Sequence, residues 1–356
     1  MRLCYVGDGW SVHLHRWLSW FVRRGHEMSL ITFRPIDRAF PGREQVRIVH
    51  LPYDRTMPVV SFPFKLPVVR RAVRALQPDL VHGHSLLGYG LWAAASGHHP
   101  LVVSAWGDDL LQAAPTRWTA RRVARFVFRR ADILHVFSRC LADAAVRLGA
   151  PAERLRLIVD GIEPDRFAPP SWQPRPPVVV STRWHAPVYN LPLLLEAIPR
   201  VLAEVPEAQF FIAGDGPLRR AHEQWVAERG LGLAVHFLGK VDYEAMPELL
   251  QRAAVYVSTS LSDGLHKSLF EAQAAGAYPV VTEIEANRPW IEDGRTGSLV
   301  PLGDPEQLAQ RIVEALQDPE RSRTAAGKNL ALIRERASFE RNMPLIEALY
   351  EELLVR

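Results

Sequence analysis

At 356 residues the chain exceeds what one hydrophobic core commonly supports, so two domains are expected. Apolar residues make up 48% and charged residues 23%, which excludes a disordered or fibrous chain, and no stretch approaches the roughly 18 apolar residues of a membrane span. The net charge of +4 is unevenly divided: residues 1–166 carry 24 Lys and Arg against 14 Asp and Glu, and residues 167–356 carry 19 against 25, so the N-terminal half is the one suited to an anionic partner.

"RLCYVG" opens the chain as a strand, with too short an apolar run for a signal peptide. "LHRWLSWFVRRG" follows as a helix stopped by glycine, and "EMSLITF" is a strand again. "DLVHGH", "LVVSAWG" and "ILHVFS" are further strands, each followed by a helical pattern. Strands alternating with helices indicate a parallel sheet covered on both faces. "APPSWQPRPP" (168–177) places five prolines in ten residues, a stiff connection between an N-terminal domain over 1–167 and a second over 178–339. There "VVVSTR", "AQFFIAG", "VHFLG", "VYVSTS" and "YPVVT" are strands separated by helices, and residues 340–356 form a terminal helix. The expected architecture is α/β: two Rossmann-like, doubly wound domains facing across a cleft, with a ligand at the strands' C-terminal ends. Cys4 and Cys140 are too few and too scattered for a disulfide framework or a zinc site, so a reducing cytoplasm is expected.

Turns after parallel strands converge on ligands, and helix N-termini offer N–H groups to anions. "GDG" (7–9) and "GDGP" (214–217) are such turns, each weak evidence alone. The absence of a G-x-G-x-x-G at the first turn and of any G-x-x-x-x-G-K-[ST] disfavours an ordinary dinucleotide site and a P-loop. "SDGLHKSLFEAQAAG" (262–276) follows a strand, which puts Asp263 in the exit loop and Glu271 about two turns into a helix. The N–H groups of Gly264, Leu265, His266 and Lys267 would point from the helix start, with the Lys267 charge beside them: a diphosphate pocket. No metal is expected, because the carboxylates lack partners at ligand spacing. The plainer alternative has Asp263 as helix N-cap and Glu271 as a solvated helix residue.

The segment resembles the signature of retaining glycosyltransferases of family four, the group 1 transferases of GT-B fold, in which two acids stand eight apart before a small-residue helix. "VVVSTRWHAPVYNLPLLLEAIPRVLAEVPEAQFFIAGDGPLRR", "VHFLGKVDYEAMPELLQRAAVYVSTSLSDG", "GAYPVVT" and "IEDGRTGSLVPLGDPEQLAQRI" resemble further parts of the donor domain, in order. "RRGHEMSLIT", "PDLVHGHSLLGYGLWAA" and "RLIVDGIEPDRFAPP" fit the first half, so the resemblance spans essentially the whole chain. It implies that Glu271 binds the ribose, that Asp263 contacts donor sugar hydroxyls, and that Gly264 to Lys267 hold the distal phosphate. It also implies that Arg183 faces the diphosphate and that Gly239 and Lys240 hold the base, while the terminal helix crosses back to the N-terminal domain. The implied donor is UDP- or GDP-linked, with no further cofactor and no metal.

Departures from the pattern are specific. The family's lysine beyond the arginine is missing; "HAPVYNL" puts Tyr189 or Asn190 there, and Lys267 is the candidate to supply the lost charge. Asp replaces the more usual Glu at 263, and Trp106 of "SAWGDD" occupies the place of a histidine found in many relatives. On the acceptor side, His84 and Asp108 sit at strand exits as catalytic candidates, with Asp8 and Gly9 in the first turn and Gly214 in the second domain as further ligand contacts. His13 and His15 are close runners-up, whereas His82 falls within a strand pattern and reads as core. In "RWTARRVARFVFRR" (117–130), Arg117, Arg121, Arg125 and Arg129 recur at i+4 steps without an acid. Such a helix suits an anionic membrane surface or an ordinary solvated face; nucleic acid is not expected, for want of a recognition motif. The expected function is transfer of a sugar from a nucleotide-sugar to an acceptor, on the cytoplasmic side and peripheral to the membrane. An epimerase of the same fold and a non-catalytic sugar-binding partner are the alternatives.

Overall fold

Strands β1 (Arg2–Val6), β2 (Glu27–Thr32), β3 (Val46–His50), β4 (Leu80–His84), β5 (Leu101–Ala105), β6 (Ile133–Val136) and β7 (Leu155–Leu157) pair in parallel. Their order is β3-β2-β1-β4-β5-β6-β7. Strands β8 (Val178–Ser181), β9 (Gln209–Ala213), β10 (Val235–Gly239), β11 (Val255–Ser258), β12 (Tyr278–Thr282) and β13 (Ser298–Val300) form a second parallel sheet in the order β10-β9-β8-β11-β12-β13. The computed structural model describes residues 1–36, 39–51, 58–169 and 171–355, and of residues 58–64 the backbone alone. Pro170 of the proline-rich stretch and the terminal Arg356 lie outside the described residues.

Every residue of β5, β8 and β12 is buried, which accounts for the unbroken apolar runs "LVVSA", "VVVS" and "YPVVT". Strands β3, β7 and β13 do not stand out in the sequence. All three are sheet edges, β7 is three residues without a buried position, and β3 buries only Val46. A half-solvated edge needs no apolar run.

The chain divides into two units, Met1–Val159 with Met343–Arg356 and Asp160–Asn342. The division falls ahead of the proline-rich stretch, whose Arg175 donates to the carbonyls of Ala253 (2.5 Å) and Ala275 (2.6 Å) inside the second unit. The helix Phe339–Val355 starts in the second unit and returns to the first. There Glu347 accepts from His26 (2.6 Å) and Arg24 (3.2 Å).

Deeper, Tyr350 of that helix enters a chain of buried hydrogen bonds: Tyr5–Tyr350 (3.2 Å), Tyr350–His82 Nδ1 (2.5 Å), His82 Nε2–Ser104 (2.7 Å), Ser104–His135 Nδ1 (2.8 Å) and His135 Nε2–Ile158 O (2.8 Å). For neutral rings its direction is fixed from one end. The Ile158 carbonyl can only accept, so His135 donates to it and accepts from Ser104. Ser104 then accepts from His82, His82 from Tyr350, and Tyr350 from Tyr5. Burial holds the His82 pKa well below its ordinary value, in keeping with a neutral ring. His82 is therefore a core residue, as its strand pattern predicts.

Candidate active site

In each sheet the strand order reverses at one place, between β1 and β4 and between β8 and β11. Loops leaving such a pair part to opposite sides and open a crevice at the strands' C-terminal ends. In the second sheet those loops carry Arg183, two residues past β8, and Asp263, five past β11. Their side chains meet, Arg183 Nη2 donating to Asp263 Oδ2 at 2.6 Å. The guanidinium lies over the Tyr189 ring, 4.3 Å from its centroid, so one of the two residues expected near the place of the family lysine is a platform for the arginine. Leu261 N–H donates to Val188 O (2.8 Å) and Thr259 Oγ1 to Tyr189 O (3.0 Å), fastening the two loops together. Burial is the largest single influence and opposes the charge on Arg183, but the Asp263 carboxylate, Tyr256 and Tyr189 together outweigh it and the pKa is raised. Burial likewise pushes the Asp263 carboxyl up, but the Arg183 charge, with His266 and the hydrogen bonds from Arg183 and from Gly264 N–H, lowers the pKa overall, so the Gly264 N–H is engaged within the protein. Both groups are ionised at neutral pH.

The helix after Asp263 is Lys267–Ala274, and its N-cap is His266 rather than Asp263. Glu271 is buried, so the plainer alternative for this pair fails at both residues. His266 was expected to hold the anion by its backbone N–H; its imidazole is fully buried and engaged within the protein. Asn287 Nδ2 donates to Thr282 O (2.8 Å), which turns its Oδ1 toward His266 Nδ1 (2.9 Å), and His266 Nε2 accepts from Tyr256 (3.1 Å). Burial, reinforced by the Arg183 charge, pushes this histidine down to about 4. Sequence reasoning passed over Tyr256 and Asn287, because nothing in their local pattern marks them. Among the described residues, the N–H groups of Leu265 and His266 make no hydrogen bond to the protein, whereas that of Lys267 is taken by Leu265 O (3.0 Å). The Lys267 ammonium is bound to Asp160 at 2.6 Å, with Asp160 only 1% exposed. Lys267 is thus half of a buried ion pair, and its charge is shared with Asp160.

Gly214 works through its backbone. Its φ is +144°, and a Cβ there would lie 2.3 Å from Arg183 O; at Gly216 a Cβ would lie 2.6 Å from His185 O. The "GDGP" turn therefore packs directly against the Arg183 loop, reinforced by His185 N–H to Asp215 O (2.7 Å). Gly239, with φ +67°, accepts from Gly214 N–H (2.7 Å) and lies beside the Arg219 guanidinium; Lys240 is exposed. Arg219, held by Glu223 (2.7 Å), brings a cation to this edge that no motif announced.

In the N-terminal unit, Asp8 accepts from Trp10 N–H (3.1 Å) and Arg34 (3.4 Å) after β1. Gly9, expected as a ligand contact, donates to Thr32 Oγ1 (3.0 Å), and its carbonyl bonds His15 Nε2 (2.7 Å), so its backbone N–H is spent internally. A Cβ at Gly9 would lie 2.6 Å from Arg34 O, which explains glycine there. His84, at the end of β4, is buried among Tyr5 (4.6 Å), Trp17 (5.2 Å) and Trp106 (6.1 Å), and His13 stacks on Trp106 at 5.8 Å. Ser85 follows with φ +82°, a strained backbone for a residue other than glycine. Of the paired aspartates, Asp108 is exposed and accepts from Gln112 (3.2 Å), while Asp109 accepts from Leu86 N–H at 2.6 Å and fixes the β4 exit. Among the described residues no group of three or more His, Cys, Asp or Glu is arranged to hold a metal ion, and no helix is long and apolar enough to cross a membrane.

Residues 8–161 match the family described as "Glycosyl transferase 4-like domain", and residues 175–318 match "Glycosyl transferases group 1". The chain belongs to the group 1 glycosyltransferases. It is 25% identical over 295 residues to the gpi3 subunit of phosphatidylinositol N-acetylglucosaminyltransferase of Schizosaccharomyces pombe, covering 78% of this chain and 63% of that protein. It is 27% identical over 267 residues to the GDP-mannose-dependent alpha-(1-6)-phosphatidylinositol monomannoside mannosyltransferase of Mycolicibacterium smegmatis, covering 68% of each. The chain thus spans about two thirds of these curated relatives' own lengths. Among solved structures, Anabaena HepE in complex with UDP and glucose superposes with a TM-score of 0.81 at 18% identity, over 99% of this chain and 100% of that one. Sucrose-phosphate synthase of Thermosynechococcus elongatus gives 0.83 at 18% identity, over 100% and 99%. This group 1 glycosyltransferase has the GT-B fold with two Rossmann-like domains.

Proposed function

We propose that this glycosyltransferase moves a sugar from a UDP- or GDP-linked donor to an acceptor hydroxyl, with retention at the anomeric carbon and without a metal. The observation that carries the reading is the Arg183–Asp263 pair at the reversal point of the second sheet, next to the free N–H groups of Leu265 and His266. The donor diphosphate docks on those N–H groups and on the Arg183 guanidinium, whose planar fork suits phosphate oxygens. Asp263 positions Arg183 and contacts donor sugar hydroxyls, Glu271 takes the ribose, and Gly239 and Lys240 border the base. His84 and Asp108 serve the acceptor. As the glycosidic bond breaks, negative charge grows on the departing diphosphate, and groups fixed in place stabilise it more than they stabilise the bound donor. The acceptor proton passes to the leaving phosphate on the same face of the sugar, so no protein nucleophile is assigned. Group 1 membership and the GDP-mannose and UDP ligands named for relatives and structural neighbours support this chemistry.

Calorimetric titration with UDP and GDP, with and without EDTA, tests the site. Arg183→Met should weaken nucleoside diphosphate binding by on the order of 10- to 100-fold, the worth of a charge-assisted hydrogen bond. Undiminished affinity would overturn the assignment. The anomeric configuration of the product, read by NMR, tests retention. Isomerised donor without acceptor would mean an epimerase, and binding without turnover a non-catalytic partner.

A further inference from the structure

On the N-terminal unit, the helices Trp118–Arg130 and Arg139–Arg147 wall a pocket of about 290 Å³. Three arginines line it, Arg121, Arg125 and Arg147, over an apolar floor of Leu110, Leu111 and Leu148. Two of the arginines are anchored by backbone carbonyls: Arg121 donates to Pro115 O (2.8 Å) and Ala114 O (3.4 Å), and Arg125 to Leu148 O (3.4 Å). Among the described residues none of the three meets a carboxylate within ion-pair reach, and no acid lines the pocket. Capping a helix end accounts for one contact of Arg125 and for none of the convergence of three like charges.

We propose that this pocket binds the phosphate of an anionic phospholipid headgroup and seats this face of the N-terminal unit on a bilayer. The volume lies at the small end for ligand pockets and fits a phosphorylated headgroup better than a whole nucleotide. A free phosphate ion would use the arginines and leave the leucine floor idle, whereas a lipid uses both. The surroundings fit a membrane surface: Trp118, at the start of the first helix, is 71% exposed, and Val146, beside Arg147, is 46% exposed. An exposed indole on the helix that carries Arg121 and Arg125 is the arrangement of an interfacial anchor. The inference is independent of the donor assignment, since none of its residues belongs to the second unit.

Vesicle sedimentation of the full chain tests it, with phosphatidylglycerol–phosphatidylcholine vesicles against pure phosphatidylcholine. The decisive comparison is between Arg121→Ala/Arg125→Ala/Arg147→Ala and a charge-matched control, Arg47→Ala/Arg71→Ala/Arg74→Ala, whose arginines are exposed in the same unit. At about fivefold per arginine near an anionic surface, the pocket variant should lose on the order of 100-fold in vesicle affinity, and the control less than about fivefold. Arg147→Glu alone, on an exposed side chain, should lose at least about tenfold and guards against a triple variant that fails to fold. Trp118→Ala should weaken binding to anionic vesicles. Equal loss in pocket and control variants would reduce the effect to diffuse charge and overturn the pocket. No preference for anionic vesicles, or a melting temperature raised by millimolar inorganic phosphate without sedimentation, would overturn the lipid. UDP affinity measured on the same variants should be unchanged, which separates this result from any failure of the donor site.

Discussion

Replacing Tyr350 by Phe tests the direction assigned to the buried hydrogen-bond chain of the N-terminal unit. The ring stays, stacked on Phe21 at 5.3 Å, so packing is preserved and only the hydroxyl is lost. His82 Nδ1 then loses the O–H from which it accepts, and the Tyr5 hydroxyl loses its acceptor. Each buried polar atom stranded in this way costs about 1–3 kcal/mol, so Tyr350→Phe should destabilise the unit by about 2–4 kcal/mol. At about 2–4 °C per kcal/mol for a domain of this size, its melting transition should fall by roughly 5–15 °C. Tyr5→Phe removes only the terminal donor and leaves Tyr350 donating to His82, so about 1 kcal/mol is expected. Urea and thermal melts of the two single variants and the double variant, followed by near-ultraviolet circular dichroism, measure the difference. The reasoning is refuted if Tyr5→Phe costs as much as Tyr350→Phe, because the chain would then run the other way. A cost below about 0.5 kcal/mol for Tyr350→Phe would remove the chain from the stability of the unit altogether.

The Lys267–Asp160 pair should appear as a coupling energy of about 1–3 kcal/mol in a double-mutant cycle of Asp160→Asn and Lys267→Met; additive effects would show that the contact contributes nothing. Because the Lys267 charge is shared with Asp160, Lys267→Met should weaken UDP binding less than Arg183→Met does; the reverse ranking would make Lys267 the main phosphate ligand. Gly214→Ala forces a Cβ toward Arg183 O and should weaken nucleoside diphosphate binding about tenfold or more in a folded protein; unchanged calorimetric affinity would show that the turn does not position the arginine. Acid should destabilise the protein through its buried histidines. Burial, with the Arg183 charge, pushes His266 down to about 4, and burial pushes His185 to about 4 as well, while the same rings in the unfolded chain titrate near 6.5. The unfolded chain therefore takes up protons first: this stability is complete above about pH 6.5 and is lost as pH falls toward 4, by about 3 kcal/mol for His266. His266→Gln should flatten the fall of the urea midpoint between pH 7 and 4.5, and parallel curves for variant and wild type would refute the attribution.

Much of the fold was legible in the chain because buried parallel strands advertise themselves locally. "LVVSA", "VVVS" and "YPVVT" are apolar at nearly every position because both faces of the sheet are covered, and the spacing of helices between them implied parallel pairing. The segment holding Asp263 and Glu271 could be placed on a strand exit and a helix for the same reason. Short-range signals end there. The edge strands β3, β7 and β13 exist because a neighbour supplies hydrogen bonds, and their residues carry little mark of it. Which aspartate of "GDD" turns inward was decided by the Leu86 N–H, 23 positions away in sequence. The partner of Lys267 lies 107 positions back, at Asp160, and His266 is removed from the surface by Tyr256 and Asn287 on other elements. The sequence determined by itself the elements, their alternation and the strand exits that carry charge, because periodicity is a property of neighbouring residues. Only the tertiary structure decided which charges pair and which polar groups face inward, since those choices depend on atoms that become neighbours when distant strands and helices pack.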